Sequence, residues 1–205
     1  MNVNPQALRA AALFTSSEKD RHVLQAVKVS DGGTLLLATD SYVMCAVGLP
    51  EEAPRDLVAR VRANEDAESL LVLASDVAKA TKIAPKPQTH WEITAEKITL
   101  PGVGSVELEP VLHEFPRVSS ILPSAKPEAI SEIAFDPARL GVFHKASQLL
   151  YGANTPKRGQ VLPRLMFHGG EGSLKPALFS ISRGPVGTLV ALLMPCKEVT
   201  GWEGK

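Results

Sequence analysis

The sequence predicts an α+β protein in which antiparallel sheets are backed by helices. Three observations carry that prediction. A helix start followed by three short strand patterns recurs three times along the chain. The links between strand patterns are short and rich in turn residues, as antiparallel meanders require. Aromatic residues make up only 5% of the 205 residues, so the core has to be built from Leu, Val, Ile and Ala. The recurrence lies in pattern rather than in residue identity, and units of this kind bury their apolar faces against one another.

Taken in order, Asn4-Pro5 places a cap residue and a first-turn proline ahead of a helix reaching about Phe14. Strand patterns follow at His22–Val29, Thr34–Ala38 and Tyr42–Val47, with Ser30-Asp31-Gly32-Gly33 as a hairpin turn between the first two. Residues 51–68 carry six acids against three arginines and predict a solvated loop, with at most a helical turn or strand near Leu57–Val61.

The second unit opens with a strand at Leu70–Leu73 and a helix capped by Ser75-Asp76 and running to about Ile83. Strands at His90–Thr94, Lys97–Leu100 and Ser105–Leu112 complete it. The third begins with a strand at Ala129–Phe135, and Asp136-Pro137 again places a cap before a proline. Its helix reaches about Tyr151, with Leu140, Phe143, Ser147 and Leu150 at spacings of three and four. After a polar loop at Gly152–Gln160 come strands near Leu162–Phe167, Ala177–Arg183 and Gly187–Leu193, then a frayed tail, Lys197–Lys205.

Composition narrows the function. The formal net charge is zero, which excludes a dominant basic surface gripping nucleic acid tightly. The charge is unevenly spread, however. Lys79, Lys82 and Lys86 form one stripe on the second helix and its exit. Arg139 and Lys145 lie on the third helix with no acid after its cap, and Arg9, Lys19 and Arg21 lie on or just after the first. Lysines near helix C-termini also offset the helix dipole. Three helices with basic but no acidic interior positions point to a surface facing phosphate, binding without sequence preference and weakening as salt rises.

Two cysteines, Cys45 and Cys196, suit neither a disulfide framework nor a zinc site. The first five residues read as no secretory signal, and no apolar run approaches a membrane span, so a cytoplasmic protein is expected. The five histidines show no metal-ligand spacing. There is no Gly-Lys-Ser/Thr phosphate loop and no Gly-x-Ser-x-Gly elbow. Neither metal, cofactor nor catalytic residue is expected.

The most informative stretch is Leu35–Met44. An apolar run breaks at Thr39-Asp40-Ser41 and restarts with Tyr42, Val43 and Met44. Asp and Ser favour such a break because their side chains bond to nearby backbone. By itself this is an ordinary β-turn between two core strands.

Three separated stretches, taken together, resemble the bacterial sliding clamps, the beta subunits of the replicative DNA polymerase. Leu37-Ala38-Thr39-Asp40-Ser41-Tyr42-Val43-Met44 looks like that family's Ala-Thr-Asp-Gly-His-Arg-Leu run. Glu114-Phe115-Pro116-Arg117-Val118-Ser119-Ser120-Ile121-Leu122-Pro123 is similar to its Phe-Pro connector, and Val190-Ala191-Leu192-Leu193-Met194-Pro195-Cys196 to its closing Val-Met-Pro strand.

The resemblance implies a DNA-clamp fold, with helices lining a channel and antiparallel sheets outside, and a processivity factor rather than an enzyme. It implies duplex DNA as a partner, together with peptides of a polymerase and of a clamp loader, in a bacterial or phage-infected cell. The peptides would sit in a cleft formed by Thr39, Ser41, Tyr42, Val43, Met44, Pro116, Ser120, Ile121, Leu192, Met194, Pro195 and Cys196. The DNA-facing set would be Arg9, Lys19, Arg21, Lys79, Lys82, Lys86, Arg139 and Lys145.

Two departures stand out. The family's Gly-His-Arg is Ser41-Tyr42-Val43 here, which removes a rim charge. In place of six helix-and-strand units there are three: residues 1–123 resemble a complete two-unit domain and 124–205 half of another. A ring would then need a homo-oligomer of four or three chains, or a dimer. The alternative is a clamp-like interaction module that binds those peptides without encircling DNA.

Overall fold

A computed structural model of the protein describes residues 1–84, 89–122, 136–151, 164–167, 176–181 and 186–194. The described elements, in chain order, are β1 (Asn2–Val3), α1 (Pro5–Ala12), β2 (Ala26–Ser30), β3 (Leu35–Thr39), β4 (Val43–Gly48), α2 (Pro54–Ala63), β5 (Ser69–Leu73), α3 (Ala74–Ile83), β6 (Trp91–Ile93), β7 (Lys97–Leu100), β8 (Gly104–Glu107), α4 (Pro137–Tyr151), β9 (Arg164–Phe167), β10 (Ala177–Ile181) and β11 (Thr188–Leu193).

They form two antiparallel sheets, one of four strands in the order β1-β6-β7-β8 and one of seven in the order β5-β2-β3-β4-β11-β10-β9. The first two units exchange their leading strands. β1 precedes α1 yet pairs with β6, and β5 precedes α3 yet pairs with β2. The third unit joins the first edge to edge, with β11 paired to β4 over six positions from Thr188–Gly48 to Leu193–Val43.

Local chemistry accounts for the helix starts. Asn4 Oδ1 accepts from the N–H groups of Gln6 and Ala7, and Pro5 follows in the first turn. Asp136 Oδ1 accepts from the Ala138 N–H ahead of α4. The expected Ser75-Asp76 cap is not what starts α3. The helix begins at Ala74, with no side-chain cap. Asp76 instead turns inward, fully buried, and accepts from Lys79 Nζ at 2.8 Å and from the Glu109 N–H at 3.1 Å.

The strands of the larger sheet read as unbroken apolar runs because both of their faces are covered. One face carries Leu36, Ala38, Val43, Cys45, Val47, Leu189, Ala191 and Leu193, packed with residues of α1, α3 and α4. The other carries Leu35, Leu37, Met44, Ala46, Val190 and Leu192, packed with Leu57, Val58 and Val61 of α2 and with Val118 and Leu122.

This second layer adds a helix on the face opposite α1, α3 and α4. Residues 54–63 form a ten-residue helix where a solvated loop was expected. Its apolar residues Leu57, Val58 and Val61 fall on one side, so the charged positions around them face outward. Arg60 anchors it. Its Nη2 lies 2.7 Å from Glu52 Oε2, and its Nη1 lies 2.7 Å from Asp31 Oδ2 and 2.9 Å from Thr34 Oγ1. Gly48 permits the close approach, since a Cβ there would strike Glu52 Oε2, the Leu57 side chain and the Arg60 guanidinium.

Two further expectations shift. His22–Gln25 form a 3-10 turn, and the strand starts only at Ala26. The strand expected over Ser105–Leu112 ends at Glu107. Of the strands expected near Leu162–Phe167 and over Ala177–Arg183, Arg164–Phe167 and Ala177–Ile181 form as strands, and the remaining residues of both lie outside the described ones. The expected strand at Ala129–Phe135, the loop at Gly152–Gln160 and the tail from Lys197 lie outside the described residues.

Candidate functional site

Two surfaces gather the sequence-derived candidates. The first is the end of the larger sheet where the β3–β4 turn meets the end of β11. The turn is built by its own side chains. Thr39 Oγ1 donates to the Val43 carbonyl at 2.8 Å and accepts from the Ser41 N–H. Asp40 Oδ1 accepts from the N–H groups of Tyr42 and Val43 at 2.8 and 2.7 Å. Ser41 takes a left-handed φ of 81°, and its hydroxyl accepts from Arg21 Nη1 at 3.2 Å.

The Tyr42 carbonyl accepts from the Met194 N–H at 2.9 Å. Met44 and Leu192 lie on the α2 side of the sheet, whereas the Tyr42 ring, just ahead of β4, meets Arg139 of α4. Met44 and Leu192 are themselves cross-strand partners.

The connector reaches the same face. Val118 and Leu122 pack into the cluster that holds Met44, Leu192 and Leu178, with Phe115 alongside. The chain leaving α2 clasps it. Glu65 accepts from the Ser119 N–H at 2.8 Å and from the Ser119 hydroxyl, Asp66 pairs with Arg117 at 3.2 Å, and Arg62 Nη2 donates to the Leu122 carbonyl at 3.1 Å. The Ser119 hydroxyl first, and its N–H second, hold the Glu65 carboxyl below the usual glutamate value.

The three stretches thus meet in one apolar cluster, yet they do not form an open trough. Met44 and Leu192 are each only 2% exposed, and Thr39 is buried. Val43 turns to the helix side and packs with the other core, so it cannot line a cleft on the α2 side. Tyr42, Ile121 and Met194 are exposed, at 48%, 43% and 36%, as are Ser41, Pro116 and Ser120. Pro195 and Cys196 lie outside the described residues.

The second surface is the helix face. α1 packs against both α3 and α4, and all three contribute to one core. Their solvent side carries Arg9, Lys79, Lys82, His144 and Lys145, and Lys19 is exposed just beyond α1. The only carboxylate within these helices is Asp76, which is buried. The Asp76 hydrogen bond and charge raise the Lys79 pKa above the usual lysine value.

Two expected members of the basic set are engaged elsewhere. Arg139 pairs with Asp40 and stacks on Tyr42, at 4.1 Å from the ring centroid. Arg21 pairs with Glu18 at 2.8 Å besides its bond to Ser41. Lys86 lies outside the described residues. Among the described residues no group of His, Cys, Asp and Glu could hold a metal ion, and no helix is long and apolar enough to cross a membrane. Cys45 is fully buried, and burial pushes its thiol pKa far up.

No protein-family model and no curated protein sequence matches the chain. Solved structures do. The chain is similar to the Helicobacter pylori beta clamp in complex with diflunisal, with a TM-score of 0.60 and 10% identity over 96% of this chain and 66% of that one. It is similar to DNA polymerase III subunit beta from Borrelia burgdorferi, with a TM-score of 0.57 and 10% identity over 97% and 62%. The DNA polymerase sliding clamp from Pseudomonas aeruginosa gives 0.55 and 12% over 97% and 66%.

The fold is therefore the α+β fold of DNA clamps. The chain spans 62 to 66% of the length of these three structures.

Proposed function

We propose that the protein is a DNA sliding clamp without catalytic activity, a homo-oligomeric ring that encircles duplex DNA and tethers a replicative polymerase. The observation that carries this reading is the helix face. Three packed helices on one side of both sheets expose Lys79, Lys82 and Lys145, leave Arg9 half-buried, and expose no carboxylate of their own. A surface of that kind attracts phosphate through charge alone, so it slides and loses affinity as salt rises. The acids of residues 51–68 lie on and around α2, on the opposite side.

In this reading residues 1–123 are a complete two-unit domain and 124–205 half of a second. Several chains must then combine to close a ring. Peptides of the polymerase and of a clamp loader would dock at the exposed end of the apolar cluster, on Tyr42, Ile121 and Met194, with Ser41, Pro116 and Ser120 as rim. Exposed apolar anchors beside a few polar groups suit an extended peptide.

The test is topological. The protein is loaded onto nicked circular DNA by its loader, and the DNA is then linearised. A ring slides off the ends and dissociates. Retention on linear DNA would favour the second reading, a clamp-like interaction module that binds polymerase or clamp-loader peptides without encircling DNA.

A further inference from the structure

Beside the β5 edge of the larger sheet lies a cleft of about 520 Å³. Cavities of this size are large enough to hold a ligand. Residues 69–71 of β5 and Lys28 of β2 line it on one side, and the stretch from Glu109 to Arg117 on the other. Tyr42, Ile121 and Met194 are not among its lining residues, although Pro116 borders both surfaces. β5 stands three strands from β4 in the sheet, about 14 Å away, so the cleft and the Tyr42–Met194 surface are separate.

The backbone of β5 is open on this side. The Asp40 N–H donates to the Val43 carbonyl at 3.1 Å, which fixes Asp40–Val43 as a bonded pair. Bonded and non-bonded pairs alternate along antiparallel ladders. Carried across β3 and β2 in the observed register, the alternation makes Lys28–Leu37, and then Val29–Leu70 and Val27–Val72, bonded pairs. Ser69 and Leu71 therefore point their N–H and C=O groups away from β2, and among the described residues nothing bonds to these groups. The facing wall contains Pro110 and Pro116, which have no N–H to offer.

The second observation is a charge. Lys28 is only 7% exposed, and its Nζ donates to the Glu65 carbonyl at 2.6 Å. An ammonium has three N–H groups, and among the described residues no carboxylate pairs with this one. A buried charge without a counter-charge is costly, so the cleft favours an anion supplied from outside. The acids around it are otherwise engaged. Ser119 bonds to both Glu65 oxygens, Asp66 pairs with Arg117, and Glu109 lies 3.7 Å from His22. Glu114 stands exposed on the far wall. A lysine that merely offset the end of α2 would account for the bond to the Glu65 carbonyl. It would not account for the spare donors or for the open strand edge beside them.

We propose that this cleft docks an extended peptide segment of a protein partner, which adds as a strand to β5 and sets an aspartate or glutamate on Lys28. An extended chain presents N–H and C=O groups along one edge at every second residue, which matches Ser69 and Leu71. A small anion would answer Lys28 and leave those groups unpaired. The added strand would lie two strand spacings from β2, about 10 Å, a gap that the lysine and a glutamate side chain span together. This site does not depend on DNA or on the polymerase peptide.

The probe is a library of random heptapeptides displayed on phage. It is panned on the full chain with soluble Ser69→Pro protein as competitor. Proline at an edge position whose N–H faces solvent leaves the inner ladder intact, so this variant should fold, as far-UV dichroism would report. It retains the other surfaces and so removes peptides that bind elsewhere. Surviving sequences should carry an aspartate or glutamate at one fixed position. In fluorescence anisotropy a synthetic survivor should lose roughly ten-fold in affinity when that acid is replaced by its amide. Lys28→Met should bind the acid and the amide equally. The amide peptide reads the charge on wild-type protein, so the test stands even where Lys28→Met fails to fold. Survivors that lack an acid, or equal affinity of acid and amide for the wild type, would overturn the proposal. An empty selection would also overturn it, and binding of succinate alone in calorimetry would then assign the cleft to a small carboxylate. A solution mass for Ser69→Pro below that of the wild type would give the edge to a second copy of the chain and overturn it likewise.

Discussion

Arg139 lies with its guanidinium carbon 4.1 Å from the centroid of the Tyr42 ring, and the same guanidinium pairs with Asp40 one turn residue away. The first residues of α4 are thereby fastened to the β3–β4 turn, ninety-nine positions distant in sequence. A residue expected to face DNA is instead a rivet between the third unit and the first. Both charged side chains are about three-quarters buried, so the pair is better shielded from salt than a surface ion pair. Arg139→Ala should cost about 1–2 kcal/mol in denaturant unfolding, from the cation–π and charged hydrogen-bond terms together. Arg139→Lys should recover less than half, because lysine keeps the charge and loses the planar stack. Full recovery with lysine would mean that the ring contributes nothing.

The outer helix is testable through its core. Leu57 is fully buried between α2 and the sheet, so Leu57→Ala should cost roughly 2–4 kcal/mol. Gly48→Ala should cost about 1–3 kcal/mol by overpacking, since the added methyl meets Leu57 and Arg60 at 2.7 and 2.8 Å. Values below half a kcal/mol in chemical denaturation would detach α2 from the fold.

The clasp on the connector depends on pH. The folded Glu65 carboxyl has a pKa lowered from 4.5 by its bonds from Ser119. A depressed carboxyl contributes its full stabilisation above the unfolded value and loses it as pH falls through the folded one. Amide exchange around Val118–Leu122 should therefore quicken as pH drops below about 4.5, beyond the intrinsic trend. Glu65→Gln should show the faster exchange already at neutral pH and no further acid step.

Burial separates two neighbouring methionines. Met44→Asp would put a carboxylate into a closed apolar cluster and should unfold the protein, whereas Met194→Asp lies at its exposed end. Under the proposed function, Met194→Asp and Tyr42→Ala should weaken binding of a polymerase peptide at least ten-fold in fluorescence anisotropy and leave the melting temperature within a few degrees. If both bind normally, the docking surface lies elsewhere.

On the helix face the informative substitutions are Lys82→Glu and Lys145→Glu, both exposed. Lys79 is a poorer choice because its ammonium satisfies the buried Asp76 carboxylate, and Lys79→Glu would damage the fold. The double variant should remove DNA association and lower the salt dependence of what remains, with peptide binding unaffected. Unchanged DNA association would move the contact surface off these helices.

Where capping chemistry was explicit, the sequence was a sound guide. Asn4-Pro5 and Asp136-Pro137 both mark helices that form. The same first-turn signal stands at Ala53-Pro54, with Leu57, Val58 and Val61 behind it, yet the acids around it favoured a loop. Charge on an outward face is compatible with a helix, and position rather than composition should have decided. Asp76 misled differently: its side chain left the helix terminus for a buried bond to the Glu109 N–H, a partner thirty-three residues on. The motifs of the turn, the connector and the last strand did converge, through the β4–β11 ladder. What they could not reveal was that α2 and the connector fill most of the face they share, because that is set by packing between distant segments.

The exchange of leading strands governs how the chain can come apart. β1 and β6 lie about ninety residues apart, and β5 returns to β2 across some forty, so each sheet is completed by a segment belonging to the other unit. Neither unit can melt while its neighbour stays whole, and loop closure over such spans is slow. Residues 1–122 should unfold in a single cooperative step, without a half-folded species populated along the way.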